Sequence, residues 1–95
     1  MELRFADKGL ERLYADARFP GKYSQGVVKA YRQLVHYIAQ ATDERDFRNM
    51  KSLHYEKLTG GLHSMRLNDQ FRLIVEIDSG TPGNAVVIRG IEDYH

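Results

Sequence analysis

The spacing of apolar residues changes partway along the chain, and that change does most to limit what the chain can become. From Ser24, a side chain suited to capping a helix start, Val27, Tyr31, Leu34, Ile38 and Ala41 recur with the ~3.6-residue period of an α-helix. Lys29, Arg32, Gln33, His36 and Gln40 fall largely off that stripe. From His63 onward the pattern becomes strict alternation. His63, Met65 and Leu67 alternate with Ser64 and Arg66; Asn68-Asp69-Gln70 supplies turn residues; Phe71, Leu73, Val75 and Ile77 then alternate with Arg72, Ile74, Glu76 and Asp78. Alternation on both sides of a polar turn predicts a β-hairpin. A helical first half followed by antiparallel strands predicts an α+β fold, with helices on one face of the sheet and the other face open.

The rest of the chain fits around these elements. Leu3 and Phe5 alternate with Glu2 and Arg4, which predicts a short N-terminal strand. Asp7 is placed to cap a first helix carrying Leu10, Leu13, Tyr14 and Ala17 on one face, and Arg18-Phe19-Pro20-Gly21 ends it. Thr42 to Met50 reads as a polar turn, or as one helical turn capped by Thr42 or Asp43 and pinned by Phe47 and Met50. His54 to Leu58 is a candidate further strand, Gly60-Gly61 a hairpin turn, and Asp78 to Asn84 a second connection before a last apolar strand, Ala85 to Ile91. The expected architecture is an N-terminal strand and two helices packed on one face of a small antiparallel sheet, in a single domain over residues 1–95. There is no cysteine, so disulfides, thiolate zinc sites and cysteine nucleophiles are excluded and stability must come from packing. The start lacks a secretion-signal pattern and no long apolar run occurs, so a cytoplasmic protein without a membrane partner is expected.

Charge is unevenly distributed. The net value is +1 overall, but residues 1–44, 45–72 and 73–95 carry +1, +3 and −3. A locally basic middle suits a small anionic target at a defined place, or is a solvated face. Strand parity sends Arg66 and Arg72 to the open face, where two guanidiniums form a phosphate clamp or pair with Glu76 or Asp78 as ordinary surface arginines. Glu92-Asp93-Tyr94-His95 follows the last strand directly. It is either a frayed tail or a group in which Asp93 shares a face with His95 and orients its imidazole for proton transfer. The histidines lack helical metal-ligand spacing, Gly60-Gly61 lacks the further glycines and lysine of a phosphate loop, and no serine sits in a nucleophile elbow. Neither a metal nor a cofactor is expected.

Two stretches carry a resemblance: His63-Ser64-Met65-Arg66-Leu67-Asn68-Asp69-Gln70-Phe71-Arg72-Leu73 and the closing Glu92-Asp93-Tyr94-His95. With the helix, helix, hairpin, strand order, they make the chain resemble the HigB-like branch of the RelE/ParE toxin superfamily over nearly its whole length. Phe71 stands where tryptophan is more common, and the loop Thr59 to Leu62 is short and lacks an arginine often found there. The resemblance implies a type II toxin that enters the ribosomal decoding site and cuts messenger RNA by metal-independent attack of a ribose 2′-OH on the adjacent phosphate. It implies Lys57, Arg72, Asp93, Tyr94 and His95 as catalytic residues, with Lys57 matching only across a gap, and Arg66 and His63 as RNA contacts. The implied partners are a helix-turn-helix antitoxin, the ribosome and mRNA, with operator DNA reached only through the antitoxin. Two other functions remain open: a non-enzymatic inhibitor of DNA gyrase on the same fold, and an inactive copy that binds antitoxin alone.

Overall fold

The computed structural model describes residues 1–19, 21–80 and 84–93. Strand β1 (Glu2–Phe5) leads into α1 (Lys8–Ala15), α2 (Gln25–Gln40) and the short α3 (Arg45–Asn49); a 3₁₀ turn (Lys51–Leu53), β2 (Glu56–Lys57), a second 3₁₀ turn (Thr59–Gly61), β3 (Leu62–Arg66), β4 (Phe71–Asp78) and β5 (Ala85–Asp93) follow. The strands form one sheet in the order β1-β5-β4-β3-β2. The expected hairpin is present, with β3 and β4 antiparallel and Met65 opposite Leu73. The sheet as a whole is mixed, because β1 lies parallel to β5, Leu3 beside Val86 and Phe5 beside Ile88. A parallel pair needs a long crossover, and the whole α1 to β4 stretch supplies it.

The helices form as their capping residues require. The Asp7 carboxylate accepts the Leu10 N–H at 2.8 Å and Ser24 Oγ accepts the Val27 N–H at 3.4 Å, filling donors that a helix start leaves open. Helix α1 stops at Ala15, so Ala17, expected on its apolar stripe, lies beyond it and is exposed. Arg32 of α2 holds the end of α1 in place by donating to the Leu13, Asp16 and Phe19 carbonyls at 2.9, 2.8 and 3.2 Å.

The core lies between the helices and one sheet face. Tyr31, Val35, Ile38 and Phe47 pack on Met65, Leu73, Val75, Val86 and Ile88, all fully buried. Phe47 anchors α3 as expected, whereas Met50 is exposed, because α3 ends one residue before it. Tyr31 shows how a polar atom is tolerated here: its hydroxyl donates to the Leu10 carbonyl at 2.7 Å, and burial keeps the phenol strongly protonated. Tyr31→Phe is therefore expected to cost about 1 kcal/mol in urea unfolding without altering the secondary structure seen by circular dichroism.

Candidate active site

A one-residue irregularity in β5 determines which side chains meet. Between Ile74 and Val75 the β4–β5 register shifts, so that Val75 faces Ile88 while Ile74 faces Gly90, and Arg89 is the extra residue. Past this bulge, Ile91 faces Leu73 on the core side and Glu92 faces Arg72 on the open side. Strand β5 continues through Glu92 to Asp93, so these two residues belong to the sheet and not to a frayed tail. Tyr94 and His95 lie outside the described residues.

The open face carries a cavity of about 120 Å³ lined by Glu56, Leu58, Ser64, Arg72, Ile74, Glu92 and Asp93. The Arg72 side chain is 13% exposed, its Nη1 lying 3.8 Å from Glu56 Oε1. It is thus held in a pocket wall and is not the solvent-facing arginine paired with Glu76 or Asp78 that strand alternation alone allows. Asp93 reaches the same cavity and accepts the Gln70 amide at 3.2 Å. A larger cavity between the α1–α2 connection and α2 contains Arg18, Lys29 and Arg32 but no histidine, carboxylate or hydroxyl, so it lacks groups for proton transfer near neutral pH. The smaller one combines a guanidinium, carboxylates and a hydroxyl, and it is the candidate active site.

The other expected residues divide between the two faces. Arg66 stands directly across from Arg72, as parity predicts, but its guanidinium turns to Asp69 in the hairpin turn. Like charges in facing positions repel, and each is relieved by a carboxylate, Asp69 for one and Glu56 for the other. The expected two-arginine clamp is thus a single arginine in the cavity. Lys57 is exposed and lies opposite His63 on the edge strand, sharing that residue's side of the sheet and not lining the cavity.

His63 is on the helix side with Met65, buried and stacked on Tyr55 at 4.8 Å between ring centroids. The structure therefore separates it from the open face where an RNA contact beside Arg72 would lie. Burial lowers its pKa, Arg48 and Lys57 push the same way, and Glu44, with Nε2 to Oε2 at 3.6 Å, only partly opposes them. Glu44 itself would be raised by burial, but the Tyr55 hydroxyl at 2.8 Å and Arg48 at 3.2 Å outweigh that and hold it ionised. At neutral pH this is a neutral imidazole wedged under α3. Because the folded pKa lies below the unfolded value of about 6.5, the unfolded chain takes up the proton first on acidification. Stability is expected to be level above neutrality and to fall as pH drops through the unfolded pKa toward the folded one. Urea midpoints at pH 7 and pH 5 check this, and His63→Gln should flatten the difference.

Glu56, Ser64 and Glu92 were not among the expected site residues, although Ser64 and Glu92 fall within the two stretches that carry the resemblance and parity with Arg72 also points to Ser64. His54 lies just before this wall in the sequence. It is exposed and left-handed at φ 47°, ψ 53°, a strained conformation for a non-glycine residue, two positions before Glu56 on the cavity wall.

The model of a family described as RelE-like toxin of type II toxin–antitoxin system HigB matches residues 3–95. A comparison with curated proteins finds no significant match. Among solved structures, the YoeB/ParE toxin from Agrobacterium tumefaciens superposes with a TM-score of 0.54 over 100% of both chains at 17% identity, a likeness of fold alone. With the family model spanning nearly the whole sequence, the chain belongs to the HigB-like, RelE-like toxins of type II toxin–antitoxin systems.

Proposed function

We propose that this toxin is a ribosome-dependent endoribonuclease that cuts mRNA in the decoding site by attack of a ribose 2′-OH on the adjacent phosphate. The observation that carries the reading is Arg72, a guanidinium held in a pocket of about 120 Å³ beside carboxylates and a hydroxyl. Such a cleavage needs a base for the 2′-OH, an acid for the departing 5′-oxygen and a cation for charge gathering on the phosphorane. Arg72 supplies the cation, its planar fork matching two phosphate oxygens. The entering phosphate takes over the guanidinium from Glu56, whose half-exposed side chain swings to solvent. Asp93, Tyr94, His95 and the strained His54 are the proposed groups for positioning and proton transfer, and Arg66 and Lys57 contact RNA or ribosome outside the cavity. Primer extension on cellular mRNA after induction tests the reading. Cuts aligned to the reading frame and bearing 5′-OH ends are expected; intact mRNA with gyrase-linked DNA breaks would establish the gyrase inhibitor instead.

As a type II toxin the protein has an antitoxin partner. We propose that the antitoxin is a helix-turn-helix protein and supplies all operator contact, because the toxin is near neutral at +1 and has no recognition-helix signature. Toxin alone is expected to give no sequence-specific shift of operator DNA in a gel at about 0.15 M salt, and specific, salt-resistant binding by it would contradict the assignment.

A further inference from the structure

Ser64 lies between His63 and Met65, both buried on the helix side, and so faces the open side, in register with Glu56 on β2 and Ile74 on β4. It is 2% exposed, and its Oγ has no hydrogen-bond partner among the described residues. A buried hydroxyl left unsatisfied is costly, and an alanine there would avoid the cost, so its presence calls for a ligand. The same residue forms part of the wall of the Arg72 cavity. On adjacent strands Ser64 and Arg72 are diagonal neighbours, spaced roughly 7–8 Å at the backbone and within reach of one small group held between them. Among the described residues the cavity's lining includes no aromatic ring, and Leu58 and Ile74 give an apolar floor for a sugar.

We infer that Ser64 is a substrate contact, its Oγ donating a hydrogen bond to a non-bridging oxygen of the RNA phosphate that Arg72 holds. The pocket thereby grips the sugar–phosphate backbone. This rests on the ribonuclease reading above, and two measurements separate the failure of one from the failure of the other. The first titrates inorganic phosphate into the toxin and follows the Arg72 Nε–H and Ser64 amide signals by ¹⁵N NMR. Wild type is expected to saturate, and Ser64→Ala to need ~10-fold more phosphate, the scale of one hydrogen bond to a charged group. Equal affinity in the two proteins, or no saturable shift in wild type, overturns the assignment. The second is single-turnover cleavage on programmed ribosomes, where Ser64→Ala should lower kcat/KM by ~10- to 100-fold. An unchanged rate overturns it as well. A wild type that binds phosphate through Ser64 yet cuts no mRNA would retain the subsite and remove the ribonuclease reading. Loss of an unpartnered hydroxyl should leave Tm equal or higher, and Ser64→Gly, which removes the hydroxyl without adding bulk, carries the same binding and cleavage expectation should the alanine variant not fold.

Discussion

Arg72→Ala is expected to lower single-turnover cleavage of mRNA in the decoding site by ~10²–10³-fold, the loss typical when one preorganised donor to a developing oxyanion is removed. The structure sharpens the reason. A solvent-facing arginine would interact with phosphate through water, whereas a side chain 13% exposed acts where screening is weaker. The same burial means that truncation will be felt by the fold, at about 1 kcal/mol from lost stem packing and the loosened Glu56 contact. Rates must therefore be compared at equal folded concentration. Arg72→Lys keeps the charge and loses the fork, and an intermediate rate is expected from it. Lys57→Ala, on the opposite side of the sheet, should be milder. A folded Arg72→Ala protein that cuts at the wild-type rate would end the phosphate-binding assignment.

His95→Gln is expected to cost ~10²–10⁴-fold in the same assay while antitoxin binding survives, the span for one acid–base group. Asp93→Asn should slow cleavage without abolishing it, since an amide replaces an orienting carboxylate in part. Tyr94→Phe keeps a ring and loses a hydroxyl, and so separates stacking from proton transfer. His54→Gln is the informative companion. If His54 and His95 share the acid and base roles, each single variant should flatten a different limb of the pH–rate profile. A His95→Gln protein with the wild-type profile would remove the C-terminal residues from the chemistry.

How much of this was legible in advance depended on the range of the interactions. Helix α2 and the β3–β4 hairpin are written locally, since a ~3.6-residue stripe or an alternation commits each residue to a face whatever lies elsewhere. The alternation also groups His63 with Met65, but it is the structure that shows His63 buried on the core side, away from the face expected of an RNA contact. The parallel seating of β1 beside β5 had no local signal, because the partners Leu3 and Val86 are brought together only when the intervening elements have packed.

The site divides along the same line. The sequence by itself determined the chemical inventory: no thiol, an arginine on the open face of a hairpin, and a carboxylate, phenol and imidazole in adjoining positions at Asp93, Tyr94 and His95. It also determined the α+β layering, because the two hydrophobic periods admit little else. Only the tertiary structure decided which of those groups meet. The bulge at Arg89 reverses the phase of β5, so Glu92 and not Ile91 faces Arg72, and apolar residues before and after it remain on one side. Pairing of β2 with β3 brings Glu56 to Arg72 and leaves Lys57 behind with His63. Depth, too, is a property of the assembled sheet. Arg72 and Ser64 alternate with core residues as any outward pair would, and it is the neighbouring strands, packed on either side, that sink them into a pocket.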